Sequence, residues 1–288
     1  MATVLKGAPV ASSILEKAKE ITKQLGEEGV SPVLAIIRAG ENPDDIWYEN
    51  NAEKQCAKAG IAVRRITVSA DISDEEMQKT VSDACTDDSI HGIIIMRPLP
   101  KQINEDRIMN MVPAEKDVDG ASPSSMAGIY SDRKDIYPPC TAQAVTEILD
   151  FYGIECSGKN ATILGRSLVV GKPAAMLLLR KNATVTVCHS RTPDPASVAK
   201  NSDILVACTG RALSVGKEYF NPSQTVIDVG INTDPNGKMC GDVKFDEASE
   251  LCSAVTPVPG GVGSVTSSLL VLHTAQAAEN AFLKKERS

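Results

Sequence analysis

The chain has 288 residues, 42% of them hydrophobic and 23% charged, enough apolar material for one large domain or two of ordinary size without covalent staples. A net charge of −7 argues against nucleic acid or an anionic membrane as the principal partner. No apolar run is long enough to span a bilayer, and the first twenty residues lack the charged-then-apolar pattern of a secretory signal, so a cytoplasmic protein is expected.

In chain order, Ile14, Ala18, Ile21 and Leu25 recur at helical spacing and predict a helix over 11–25. A short buried strand follows over 31–40, closed by Gly40, and then a helix over 43–59. Residues 61–69 read as a strand. Residues 73–85 read as a helix opened by Ser73, with Glu76 in capping-box spacing. The run 91–100, HGIIIMRPLP, reads as a strand stopped by prolines. Strands alternating with helices imply a largely parallel α/β sheet.

A second set starts near Cys140. It comprises a helix over 141–154, a strand over 160–165, a helix over 171–182 with Pro173 in its first turn, a strand over 183–190 and a short helix over 194–201. Strands over 203–210 and 225–232 complete it, and a last helix runs over 264–284. This β-α-β-α-β order is the half-unit of a nucleotide-binding fold.

The turn GRSLVVGKP joins a strand end to a helix start, where a dinucleotide phosphate sits in such folds. Gly165 and Gly171 do not have G-x-G-x-x-G spacing, so the motif alone is weak. The second strand ends in CHSRT, without the acid that holds a ribose diol in NAD sites. Arg166, Ser167, Ser190 and Arg191 instead offer hydroxyl and guanidinium groups suited to an extra phosphate, which favours NADP. His189 reads as a packing or hydrogen-bonding residue. The eight cysteines are dispersed with no C-x-x-C pair, and there are only three histidines, so reduced thiols and no metal site are expected.

Taken together, YENNAEK, GIIIMRPLP, PAEKDVDG, YPPCTAQA, GRSLVVGKPAAMLL, ATVTVCHSRT, VIDVGIN and TPVPGGVGSVT resemble, in order and separation, the methylenetetrahydrofolate dehydrogenase/cyclohydrolase family. The resemblance covers nearly the whole chain. It implies two domains: an N-terminal α/β folate domain of residues 1–141 plus 268–288, and a Rossmann-like parallel-sheet domain of residues 142–267 binding NADP. It implies a folate cleft between them, a homodimer, and tetrahydrofolate derivatives as substrates. The usual reactions are oxidation of 5,10-methylenetetrahydrofolate and hydrolysis of the methenyl product.

Carried over by residue, Tyr48 matches the tyrosine beside the folate ring and Asp119 the aspartate that grips the pterin; these are the candidate catalytic residues. Pro259, Gly260, Gly261 and Gly263 let backbone approach a flat ligand. Gly165, Arg166, Ser167, Ser190 and Ile231 match cofactor positions, with Gly171 and Arg191 beside them.

The chain departs from the family at the folate face. Bifunctional members carry a lysine four residues after the tyrosine, where this chain has Ala52. At about 100° per residue, positions 48 and 52 share a helix face, while Lys54 lies roughly 200° from position 52 and is no substitute. The glutamine expected to position that lysine is Met96, followed by Arg97, which reads as a surface charge. Asp45 stands for a usual serine, and Ser264-Val265 for a usual Pro-Met. Hydride transfer needs binding and orientation, whereas hydrolysis also needs proton handling. The expectation is a dehydrogenase with cyclohydrolase activity weak or lost, and a separate cyclohydrolase taking the product. The alternatives are the ordinary bifunctional enzyme and a folate or nucleotide binder without chemistry.

Overall fold

The computed structural model describes residues 1–286. It begins with β1 (Thr3–Val4), α1 (Gly7–Glu27), β2 (Val33–Ala39), α2 (Pro43–Lys58), β3 (Ala62–Val68), α3 (Asp74–Thr86) and β4 (Gly92–Ile95). Two short helices follow, α4 (Glu105–Met111) and α5 (Pro123–Tyr130), and then α6 (Cys140–Phe151), β5 (Asn160–Leu164), α7 (Gly171–Arg180) and β6 (Thr184–Cys188). The chain continues through α8 (Pro195–Lys200), β7 (Ile204–Ala207), β8 (Thr225–Asp228), β9 (Asn232–Thr233) and β10 (Met239–Cys240). It ends with α9 (Phe245–Leu251), β11 (Ala254–Val255) and α10 (Val262–Glu286). Among the described residues no helix is long and apolar enough to cross a membrane.

These elements form two compact units, one of residues 1–12 with 141–266 and the other of residues 13–140 with the segment from Ser267. The first carries a six-stranded parallel sheet in the order β1-β11-β8-β7-β5-β6, and the second a three-stranded parallel sheet, β3-β2-β4. A small antiparallel ribbon, β9 with β10, belongs to the first unit. Thr3 and Val4 pair with Ala254 and Val255, which draws the chain start onto the edge of the six-stranded sheet.

Parallel strands covered on both faces must be apolar nearly throughout. Leu34, Ala35, Ile36 and Ile37 of β2 are fully buried, as are Ile204 to Ala207 of β7. Each large aliphatic side chain so buried contributes about 1.5–3 kcal/mol. The capping box is present: Ser73 Oγ accepts from Glu76 N–H at 3.2 Å, and Glu76 Oε2 accepts from Ser73 N–H at 3.2 Å. The strand expected over 91–100 ends at Ile95, before the prolines at 98 and 100 that cannot donate to a ladder.

Helix α2 is set by both its start and its underside. Asn42 caps it, its Oδ1 accepting from Asp44 N–H at 3.0 Å, and Pro43 takes the first turn, where its missing N–H costs nothing. Asp44 and Asp45 follow at the positive end of the helix dipole. Beneath, the buried Glu49 meets Arg38 Nε at 3.4 Å and Arg65 Nη1 at 3.7 Å, while Arg38 also donates to Gly40 O and to Thr67 Oγ1. This pair ties the helix to β2 and β3 and so fixes which way positions 48 and 52 face. Replacing Glu49 by Ala leaves the buried Arg38 with only the exposed Glu41 at 3.8 Å as a counter-charge, and is expected to destabilise the fold in urea unfolding by up to about 3–5 kcal/mol, the range for breaking a buried ion pair.

Candidate active site

Of the folate-face candidates in the second unit, Asp119 lies on the loop after Val118. Ile93 of β4 bridges Asp117 in parallel fashion, so the chain leaving Asp117 runs beside the end of β4. The buried Asp117 closes the loop, its two oxygens accepting from Ala121 N–H at 3.1 Å and Ser122 N–H at 2.8 Å. Gly120 has φ +63°, and a Cβ there would lie 2.5 Å from backbone of Tyr137, Pro138 and Pro139. Only glycine fits that turn, which holds Asp119 against the segment leading into α6.

Behind the loop, His273 Nδ1 meets Val118 O at 2.8 Å, and the Cys140 thiol reaches Val118 O at 3.5 Å. Burial lowers His273 to about 4, leaving it neutral. Asp119 itself is half-buried. Burial pushes its carboxyl up to about 7, and the negative charge of Asp117 adds to this; Arg97 and a hydrogen bond from Cys140 pull it back down. Tyr48 is held well above the usual phenol range, first by burial and then by the charge of Asp119. It therefore stays a neutral donor. Tyr48 and Asp119 thus stand within electrostatic reach of one another.

Ala52 lies one turn beyond Tyr48 and is buried, whereas Lys54 is exposed, so no cation takes the place of a lysine at 52 from this helix. Met96 is half-buried, with its N–H donating to Ile37 O at 2.9 Å. Arg97 corrects the sequence reading: it is half-buried, and its charge acts on Asp119. The apolar run before it masked this, since nothing in the pattern shows which way a residue past the strand end turns.

The nucleotide candidates of the first unit line a cavity of about 410 Å³. Gly165, Arg166, Ser167 and Ser190 are on its wall with Cys188, His189, Pro195, Cys208, Thr209, Arg211, Ser214 and Tyr219. Gly165 has φ +139°, and a Cβ there would fall 2.3 Å from Cys208 O; at Gly171 a Cβ would fall 2.4 Å from Gly165 O. The backbone is thus drawn in tight beneath the cavity. Ser167 Oγ accepts from Val170 and Gly171 N–H, and Ser167 O from Lys172 N–H, so these amides at the start of α7 are already occupied. The guanidinium and hydroxyl groups are then the main handles for phosphate. Arg191 is exposed and outside the cavity wall. Its N–H donates to His189 Nδ1 at 3.1 Å, which gives His189 a structural bond.

Sequence reasoning missed Arg211 and the loop that carries it. Thr209 to Arg211 follow β7 and are pinned from below by the buried Asp242. Its carboxylate accepts from the N–H groups of Thr209, Gly210 at 3.1 Å and Arg211 at 3.0 Å, and from Asn232 Nδ2 at 2.9 Å. The buried Asp228 in turn accepts from Gly230, Asp242 and Val243 N–H. Asp242→Ala would orphan four donors. The expected result is a loss of about 3 kcal/mol or more of stability, with weaker binding of dinucleotide measured by fluorescence titration.

The remaining candidates lie apart from this cavity within the same unit. Gly261 is buried and Gly260, at φ +98°, is exposed with Pro259 and Gly263. Gly260 O accepts from Gly7 N–H at 2.8 Å, so this loop packs on the chain start. Ile231 is 67% exposed, and a Cβ on Gly263 would meet its side chain at an ordinary 3.6 Å.

Comparison with known proteins places both units. Residues 5–119 match the catalytic domain, and residues 139–282 the NAD(P)-binding domain, of the tetrahydrofolate dehydrogenase/cyclohydrolase family. A Carboxydothermus hydrogenoformans protein named bifunctional protein FolD is 48% identical over 281 residues, covering 97% of this chain and 98% of its own. The crystal structure of the Campylobacter jejuni bifunctional enzyme FolD, a methylenetetrahydrofolate dehydrogenase/cyclohydrolase, superposes with a TM-score of 0.94 at 35% identity, covering 97% of this chain and 99% of that one. A Trypanosoma brucei methylenetetrahydrofolate dehydrogenase-cyclohydrolase, solved with NADP cofactor and an inhibitor, gives a TM-score of 0.89 at 33% identity, covering 100% of this chain and 99% of that one. This chain belongs to the tetrahydrofolate dehydrogenase/cyclohydrolase family.

Proposed function

We propose that this chain oxidises 5,10-methylenetetrahydrofolate with NADP, and that it hydrolyses the methenyl product slowly. The observation that carries the first half is Tyr48 within electrostatic reach of Asp119, in a chain that matches the family in both units. As a carboxylate, Asp119 accepts from the N–H donors of an aminopyrimidine ring, and the neutral Tyr48 offers a flat face and an O–H beside it. Together they orient the substrate, which is most of what hydride transfer asks of a protein.

NADP, when bound, supplies the hydride acceptor. The residues present fit it: Gly165 lines a cavity of about 410 Å³, and Arg166, Ser167, Ser190 and Arg211 on its wall offer charge and hydroxyls to its phosphates. The named relatives are bifunctional, and that favours hydrolysis as a second reaction over its outright loss. Positions 52 and 96 favour a slow one. A buried alanine and a methionine supply neither a proton carrier nor an amide to aim it. The reading includes a homodimer in the cytoplasm, checked by light scattering of the native protein, and a separate cyclohydrolase that clears the product. The test of function is a paired assay with NADP and NAD against methylene- and methenyltetrahydrofolate. NADPH should form faster than NADH, and added methenyltetrahydrofolate should decay little faster than in buffer.

A further inference from the structure

We propose that His273 of α10 is a positioning residue for the folate ring: its imidazole anchors the Val118 carbonyl and so fixes the direction in which the next residue, Asp119, presents its carboxyl. This rests on the reading of Asp119 as the ring-gripping group. His273 Nδ1 lies 2.8 Å from Val118 O. The Cys140 thiol at the start of α6 lies 3.5 Å from the same oxygen and 3.6 Å from Nδ1. A carbonyl only accepts, so Nδ1 carries the proton and donates, and the thiol donates to the second lone pair. All three residues are buried. The imidazole packs on Tyr137 with ring centroids 5.2 Å apart, and Tyr137 Oη accepts from Asn280 Nδ2, also of α10, at 3.0 Å, so the ring is itself held in place.

The peptide units before and after Asp119 are thereby both fixed. The one after it carries the Gly120 N–H, which donates to Asp117 O at 3.0 Å. That side of the turn is secured further by the two N–H groups on the Asp117 carboxylate and by the lack of room for a Cβ at Gly120. The peptide unit before Asp119 is the one that ends in the Val118 carbonyl, and it is held by side chains: the imidazole and the weaker thiol. A buried carbonyl that loses its main donor turns toward another, and the peptide turns with it, carrying Asp119 off its line. Burial keeps His273 neutral, so its single ring proton stays committed to this bond through the working pH range.

The test has a ligand-free arm and a kinetic arm. In ¹⁵N-labelled native protein, the His273 ring signals are identified among those of the three histidines by their loss in His273→Asn, and should show the proton on Nδ1. A proton on Nε2 alone overturns the proposal. In the kinetic arm, His273→Leu keeps bulk and loses the donor. Its kcat/KM for methylenetetrahydrofolate should fall about tenfold or more, the scale for a misplaced orienting group, while NADP affinity by fluorescence titration stays unchanged. His273→Asn should recover most of that loss, because its Nδ2 lies as many bonds from the backbone as Nδ1 and also donates. In an Asp119→Ala background there is no carboxyl to direct, so His273→Leu should cost nothing further. An equal loss in both backgrounds overturns the proposal, as does an asparagine variant no better than leucine. If His273→Leu does not fold, His273→Met takes its place. Asp119→Ala with undiminished kcat/KM would instead overturn the reading of Asp119. A native protein that forms no NADPH would overturn the proposed function, and the same variants compared by tetrahydrofolate affinity would then decide the role of His273.

Discussion

Ala52→Lys combined with Met96→Gln is expected to raise methenyltetrahydrofolate hydrolysis by about 10²–10⁴-fold, the usual contribution of one positioned acid-base group. The helix makes this a clean test. Position 52 is one turn from Tyr48 on the face that α2 presents inward, and the Arg38–Glu49 pair keeps that face fixed. A lysine at 52 can bury its stem where Ala52 is buried and carry its amine outward. The glutamine at 96 gives the amine a hydrogen-bonding partner that methionine cannot. Each single variant should gain much less than the pair, since an unaimed amine and an amide without an amine do little separately. NADPH formation should change by no more than a few fold in the double variant. A folded double variant with unchanged hydrolysis would show that positions 52 and 96 do not limit the second reaction.

Asp119→Asn separates the binding role of that residue from its cost to the fold. An asparagine offers one acceptor and also presents an NH₂ donor to ring donors. Loss of a charge-assisted bond of about 1.5–3 kcal/mol lowers kcat/KM for the folate by about 10–150-fold. The native enzyme should lose kcat/KM as the pH falls below about 7, because Asp119 must be ionised to accept, and this limb should vanish in the variant. Stability should move the other way. The folded carboxyl titrates at about 7, well above the ordinary carboxylate range, so the folded protein binds the extra proton between those values and loses stability as the pH rises through them. Asp119→Asn should therefore raise Tm by about 2–4 °C at pH 8 and leave it nearly unchanged at pH 4. An equal Tm change at both pH values would show that the carboxyl is not held out of its ordinary range.

The parts of this fold that were legible are those where one short-range rule decides. Ser73 and Glu76 form the capping box their spacing announces, and the apolar runs of β2 and β7 are buried strands. The parallel α/β order follows from their alternation with helices. Strands of two residues, β1 and β11, carry no periodicity, and their pairing is what takes the chain start into the six-stranded sheet. Helices α4 and α5 are only about two turns long and announce themselves through Asn104 and Ser122 at their caps and Pro123 in the first turn of α5. At the site, Tyr48 and Asp119 are 71 positions apart and no spacing rule joins them; the family resemblance did, and the charge of Asp119 reaches Tyr48 in the fold. Arg97 and Arg211 escaped because their placement depends on tertiary neighbours: Arg97 on the chain beside the end of β4, and Arg211 on a carboxylate 31 residues later that holds its backbone N–H.

The most direct measurement follows NADPH and methenyltetrahydrofolate together after purified native protein meets 5,10-methylenetetrahydrofolate and NADP. The account predicts that NADPH forms and that the methenyl product accumulates nearly mole for mole, clearing at close to its rate in buffer. No NADPH would contradict the dehydrogenase, and NADPH formed while methenyl is cleared as fast as it is made would contradict the slow second step.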